Sequence, residues 1–286
     1  MENQILLKLN CDKGGRIIWS DDQLDYIVKK YYETYSTPTI AKDFNVSSSS
    51  IRRVLRKQGV QLLSSSEILR LRYPKKSDFF EEINTSQKAY WLGFLYADGN
   101  ITKNEIYLGL QISDEDHIKK FQQAIGAINN KLTYPITHRN GKDYPQVRIS
   151  FRDKKMVEDL ADKGCISNKT LKLTFPYDKI PKELYSHFIR GIMDGDGDIG
   201  WHNFNTKEYF KIGFSGTKDL LNGIKEILGK PDLKLEDRGN CYYFNINGNN
   251  QLKNILSYIY KDSYNEIELT RKRERYNDFL KEMENK

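Results

Sequence analysis

The chain has 286 residues, with 46 Lys and Arg against 39 Asp and Glu, a formal net charge of +7 and a pI near 9.0. That length allows a sizeable core and roughly two domains, and the basic balance favours a polyanionic partner. Cys11, Cys165 and Cys241 make neither a disulfide framework nor a zinc spacing, and no apolar run reaches the ~18 residues of a membrane span. The opening MENQILLKLN lacks the long apolar core and cleavage site of a signal peptide. A soluble, cytoplasmic protein that does not enter a membrane is expected.

Residues 21–58 read as three helices separated by short turns: DDQLDYIVKKYYETY, TPTIAKDF and SSSSIRRVLRKQG. Asn45, Val46 and Ser47 make a tight turn, and hydroxyl side chains follow that can cap the next helix. This is the spacing of a helix-turn-helix. Ala41 stands where two crossing helices need a small residue, and Ile40, Phe44, Val46, Ile51 and Leu55 can close a miniature core. The last helix then presents Ser48, Ser49, Ser50, Arg52, Arg53 and Arg56 outward, a set suited to base edges and phosphates. A plain helical hairpin with a solvated basic face is the competing reading. Residues 59–76, with several serines and RLRYPKK, read as a basic linker or short helix.

WLGFLYADGN, residues 91–100, is an apolar helix that ends on Asp98, where a carboxylate faces the negative end of the macrodipole. FIRGIMDGDGDIG, residues 188–200, repeats the arrangement with Asp196. Gly93 and Ala97 in the first helix, and Gly191 and Gly195 in the second, form small-residue stripes at helical spacing. Packed along those stripes, the helices bring Asp98 and Asp196 side by side, each followed by a glycine, Gly99 or Gly197, suited to a left-handed C-cap. Adjacent carboxylates repel unless a cation sits between them, and hard oxygen ligands suit Mg2+ or a similar divalent ion. Asp194, Asp196 and Asp198 imitate the start of an EF-hand loop, but Ile199 and Asn205 stand where glycine and glutamate are required, so that reading is rejected.

Alternating strands follow each of these helices, EIYLGLQIS at 105–113 and YFKIGFSG at 209–216. Helices closing at Gly126 and Gly229 come next, then the strands YPQVRISF and CYYFNING, then the helices KKMVEDLADKG and NQLKNILSYIY. The chain therefore reads as residues 1–78 followed by two repeats, 79–175 and 176–286. Arg139, Arg148, Arg152, Lys211 and Arg238 lie on or beside the strands, where Arg can read guanine and Lys can hold phosphate. His117, His138, His187 and His202 lack metal-ligand spacing and receive no catalytic role.

WLGFLYADG and IRGIMDGDG resemble the paired signature of the LAGLIDADG homing endonucleases, with Tyr96 where the family often has an acid; the resemblance covers roughly residues 85–280. It implies an α+β (α/β) fold of two pseudo-symmetric αββαββα units forming a saddle over the DNA major groove. It further implies a monomeric, site-specific double-strand DNA endonuclease on a pseudo-palindromic or asymmetric site, leaving 3′ overhangs. Phosphodiester hydrolysis needs an activated water, a stabilised phosphorane and a neutralised leaving oxygen, which carboxylate-held divalent metal can supply. By the resemblance Asp98 and Asp196 are catalytic and hold Mg2+ or Mn2+, with backbone carbonyls near Gly99 and Gly197 completing the shell. Segment matches to intein-encoded relatives nominate Lys169, in GCISNKTLKLTFP, and Lys272, in YIYKDSYNEIELTRKRERY, as catalytic lysines. Intein termini are absent, so a free-standing or intron-encoded enzyme is expected. A non-catalytic transcription regulator on the same scaffold and an RNA maturase are the alternatives.

Overall fold

Ser20, Ser36 and Ser47 each turn the chain into a helix by accepting the backbone N–H three residues on, which starts α1 (Asp21–Thr34), α2 (Thr37–Asp43) and α3 (Ser48–Lys57). Asn45, at φ 51°, reverses the chain between α2 and α3. Ile27, Tyr31, Ile40, Ala41, Phe44, Ile51, Val54, Leu55 and Val60 close the small core, with Val46 packed at its margin. A two-stranded hairpin, β1 (Asn10–Cys11) with β2 (Ile17–Ile18), precedes these helices, so this part is not all-α as expected. The short helix α4 (Ser65–Arg72) starts at a Ser64/Glu67 capping box and buries none of its residues. All of this belongs to the first of two compact units, Met1–Pro74; the second runs Lys75–Lys286. The computed structural model describes residues 9–166, 172–205, 207–264 and 267–284.

The second unit repeats one order of elements. The first half runs α5 (Ser86–Ala97), β3 (Gly99–Ile101), β4 (Glu105–Gln111), α6 (Glu115–Ala124), β5 (Ile136–Arg139), β6 (Lys142–Arg152) and α7 (Lys154–Asp162). The second half runs α8 (Tyr185–Asp196), β7 (Asp198–Phe204), β8 (Lys207–Gly216), α9 (Lys218–Ile227), β9 (Glu236–Asp237), β10 (Tyr242–Asn247) and α10 (Asn249–Ile259), and α11 (Thr270–Glu284) follows. Each half builds an antiparallel four-stranded sheet, β3-β4-β6-β5 and β7-β8-β10-β9, the topology expected from the sequence. Strand alternation sends Ile106, Leu108, Leu110, Val147, Ile149 and Phe151 into the core of the first sheet and Phe210, Ile212, Phe214, Phe244 and Ile246 into that of the second. The intervening residues form the outer faces. Among the described residues no helix is long and apolar enough to cross a membrane.

The helices α5 and α8 pack on each other at the centre, which is why both are buried nearly all round, from Ala89 to Tyr96 and from Tyr185 to Asp194. Gly93 and Gly191 make the approach possible. A Cβ on Gly93 would collide with the Phe188 carbonyl oxygen and lie 2.9 Å from its carbon; one on Gly191 would collide with the Tyr90 carbonyl oxygen and lie 2.6 Å from Phe94 N. Both obstacles are backbone and cannot rotate away. Gly191→Leu is therefore expected to destabilise the second unit by about 3 kcal/mol, the upper end of ordinary overpacking. A urea melt matching the wild type would mean that the helices do not meet there.

Candidate active site

Both signature helices stop on an aspartate, and the chain then turns directly into the first strand of each sheet. Asp98 is the C-cap of α5, and Asp196 is the last residue of α8. The left-handed glycine caps expected from the sequence do not form. Gly197 is extended, at φ −75° and ψ 153°, and Gly99 is not among the positive-φ residues. These positions need glycine for space instead. A Cβ on Gly99 would stand 2.6 Å from the Leu95 carbonyl oxygen, and one on Gly197 would stand 2.5 Å from that of Met193. A Cβ on Gly195 would stand 3.3 Å from Asp98 Oδ2, so the Asp98 carboxylate lies against the last turn of α8, beside Asp196. Asp196 is exposed and Asp98 half-buried.

The buried Lys272 of α11 answers the dipole problem that two terminal carboxylates raise. Its Nζ donates to the carbonyl oxygens of Met193 (2.6 Å), Gly195 (3.1 Å) and Gly197 (2.6 Å), which engages all three ammonium hydrogens. An ammonium here adds a second donor to the Met193 carbonyl, which also accepts from Gly197 N (3.0 Å), serves the Gly195 and Gly197 carbonyls, and opposes the negative pole. Burial pulls Lys272 down to about 8; Asp194 opposes this, Arg271 adds to it, and Asp98 and Asp196 push back up. It therefore keeps its proton at neutral pH. The sequence nominated Lys272 as acting on the reacting phosphate, whereas its hydrogens are directed at helix carbonyls. The other nominated lysine, Lys169, lies outside the described residues.

Sequence reasoning passed over Asp194. Its carboxylate is fully buried, with Oδ2 accepting from Tyr90 Oη (2.8 Å) and Leu269 N (2.8 Å) and Oδ1 from Tyr260 Oη (3.3 Å). Because the Tyr90 hydrogen points to Asp194, its oxygen accepts from His117 Nε2, 2.9 Å away. Burial and nearby cations hold His117 down to about 3, so it is neutral. Burial likewise pushes Asp194 up, and Lys272 leads the groups that resist the shift. Arg190 laces the same region, donating from Nε to Ile267 O (2.8 Å) and from Nη1 to Ile259 O (2.7 Å), with Nη2 2.7 Å from His187 Nδ1. The signal was available in the alignment of the two signatures. Tyr96 occupies the matching position in the first, where its hydroxyl donates to Lys163 O, and Cys165 Sγ lies 3.6 Å from Leu95 O. One helix end thus meets a thiol and the other an ammonium.

The remaining nominated residues divide between the units. In the second unit Arg139, Arg152 and Arg238 are exposed, while Arg148 and Lys211 are half-buried. Arg148 sits opposite Gly109, Arg152 opposite Glu105 and Lys211 opposite Gly200, all on the sheet faces turned away from the core. Arg52, Arg53, Arg56 and Ser49 of the first unit are exposed; Ser48 and Ser50 are half-buried.

The donor set at Asp98 and Asp196 fits a hard divalent cation. It offers the oxygens of two carboxylates alone, since among the described residues no group of three or more His, Cys, Asp and Glu gathers to hold a metal. A cation there would have to draw the rest of its shell from carbonyls and water, as Mg2+ commonly does. The Gly197 carbonyl already accepts from Lys272, so one of its lone pairs is engaged.

No protein-family model matches the chain. An uncharacterised protein of Methanocaldococcus jannaschii is 34% identical over 104 residues, which are 35% of this chain; the chain spans 38% of that relative's length. Among solved structures, the homing endonuclease I-WcaI bound to its DNA recognition sequence aligns at a TM-score of 0.51 and 14% identity, over 77% of this chain and 96% of that one. The LAGLIDADG meganuclease I-CpaMI bound to uncleaved DNA aligns at 0.45 and 15% identity, over 68% and 89%. The likeness to I-WcaI is one of fold.

Proposed function

We propose that the chain is a site-specific double-strand DNA endonuclease of the homing type. The Asp98 carboxylate lying against the last turn of α8, the turn that ends on Asp196, carries this reading. Two carboxylates brought together against the helix dipole gain nothing for a pure DNA-binding regulator. They suit a nuclease, in which a bound Mg2+ or Mn2+ would activate water and stabilise charge on the phosphate. In this reading Asp98 and Asp196 hold the cation and orient it toward the scissile phosphates. Lys272 keeps the end of α8 in place, and Arg139, Arg148, Arg152, Lys211 and Arg238 contact the duplex. The first unit serves as a helix-turn-helix module, with Ser48, Ser49, Ser50, Arg52, Arg53 and Arg56 of α3 toward the DNA and residues 1–78 forming an accessory arm to the repeats 79–175 and 176–286. The chain acts as a monomer, since one polypeptide supplies both carboxylates.

Incubation of the full chain with a randomised duplex library and Mg2+, followed by sequencing of the ends, tests the reading. The expected result is a double-strand break with 3′ overhangs at a selected site, and binding with little cutting in Ca2+. Joint replacement of Arg52, Arg53 and Arg56 by alanine is expected to shorten the footprint on one side while the cut positions stay fixed. Sequence-selective binding that never proceeds to cleavage in Mg2+ or Mn2+ would favour the regulator instead.

A further inference from the structure

The outer faces of the two sheets carry one arrangement of four residues apiece. On the first, Arg148 donates from Nε (3.0 Å) and Nη2 (2.6 Å) to Gln146 Oε1, two residues earlier on the same strand face. Its guanidinium lies 5.5 Å from the centre of the Tyr107 ring. Tyr107 in turn leans over Gly109, where an added Cβ would stand 3.1 Å from Tyr107 Oη and 3.2 Å from Arg148 Cγ. On the second, Arg238 donates from Nε (3.2 Å) to Glu236 Oε1 and from Nη2 (3.1 Å) to Glu236 Oε2. It stacks 3.5 Å from the centre of the Tyr243 ring, which lies on Gly213 so closely that a Cβ there would stand 2.7 Å from Cε2 and Cζ. Each set joins an arginine, an acceptor two positions before it, a tyrosine and a bare glycine.

The sets occupy different ladder positions. Gly109 faces Arg148 directly, whereas Gly213 faces Asn245 and is covered diagonally by Tyr243. The repeat alone therefore does not impose them. By contrast, Arg139 and Arg152 make no hydrogen bond or ion pair among the described residues.

We infer that Arg148 and Arg238 are specificity-determining residues, each held by its tyrosine and its Gln146 or Glu236 acceptor so that it reads one guanine in the major groove of its own half-site. The inference rests on the DNA-binding reading above. With Nε and one Nη2 hydrogen engaged, the donors that remain are those on Nη1 and the second on Nη2. That end-on pair matches the O6 and N7 acceptors of guanine, while adenine places a donor at the O6 position. A two-stranded ribbon fits the major groove, and a guanidinium already fixed on an aromatic face loses less side-chain freedom on contact. Glu236 also cancels the charge of Arg238, which makes that residue a poor phosphate anchor and a good reader.

Selection of bound sites from a random duplex library by the full chain tests this without requiring cleavage. Arg148→Ala and Arg238→Ala are each expected to lose a guanine preference at a single base pair, in different halves of the site. Affinity for the selected site should fall roughly 5- to 150-fold. Arg148→Lys and Arg238→Lys should fail to restore the preference, and Gln146→Ala and Glu236→Ala should weaken it with the arginine present. Thermal melts at the wild-type midpoint accompany each variant, as expected for outer-face side chains. A selected site identical to the wild type's overturns the inference, and so does uniform weakening on all sequences with a salt slope lower by about one unit. A wild-type chain that selects no DNA sequence overturns the DNA-binding reading itself.

Discussion

Replacing Asp98 or Asp196 with asparagine is expected to lower strand cleavage by at least about 10²- to 10³-fold, the loss seen when one preorganised charge-stabilising group is removed from an active site. Asparagine keeps the shape of the side chain. It therefore leaves the contact between the Asp98 side chain and the last turn of α8 undisturbed, and thermal stability should not fall. DNA affinity in metal-free buffer should hold or rise, because a negative charge facing phosphates has been removed. Single-turnover cleavage and binding in chelator, measured on both variants, separate these effects. Wild-type rates in either variant would mean that the carboxylate belongs to the architecture of the helix ends and not to the chemistry.

Lys272→Met should act mainly on stability, with an expected loss of about 3–5 kcal/mol, the usual result of removing one partner from a buried charged network. The substitution takes the ammonium from the Met193, Gly195 and Gly197 carbonyls, of which Met193 O keeps the Gly197 N–H, and strips Asp194 of its foremost positive neighbour. Urea melts give the magnitude. A cycle with Asp194→Asn should show coupling, since both changes act on one network. The role follows from which property moves. A folded variant with lowered stability and an ordinary cleavage rate fits the cap, whereas unchanged stability with slow cleavage would return the ammonium to the phosphate.

Much of the central site was legible because it depends on local periodicity. Gly93 with Ala97, and Gly191 with Gly195, marked a face where only backbone can pass, and the helix pair follows. The alternation in residues 105–113 and 209–216 likewise showed which strand face turns inward. Gly99 and Gly197 were expected to make left-handed caps, whereas the structure needs them small. An Asp-Gly helix end signals a left-handed cap, and nothing local distinguishes that from a glycine kept small by the preceding turn. The burial and partners of Lys272 and Asp194 were opaque for a different cause. Their partners lie 66 to 104 residues away in the chain, and burial of a charged group follows from tertiary closure alone. The arginine buttresses lay between these extremes. Gln146 with Arg148 on one strand, and Glu236 with Arg238 just past the end of another, stand at a spacing of two, yet only the packed tyrosines reveal that the pairs are fixed.

The last helix has a consequence for how the molecule comes into being. Asp194 waits for Leu269, 75 residues downstream, and the end of α8 waits for Lys272. From the same stretch Arg271 reaches back to Asp114 (3.0 Å), Arg275 to Ile199 O (2.8 Å), and Glu268 O receives Lys120 (3.5 Å). A nascent chain with both sheets formed but α11 still in the ribosomal tunnel lacks the Leu269 N–H for Asp194 and the Lys272 ammonium for the end of α8. The two repeats can assemble as they are synthesised, but the site they share is finished only by a segment made after both of them, which fastens to each.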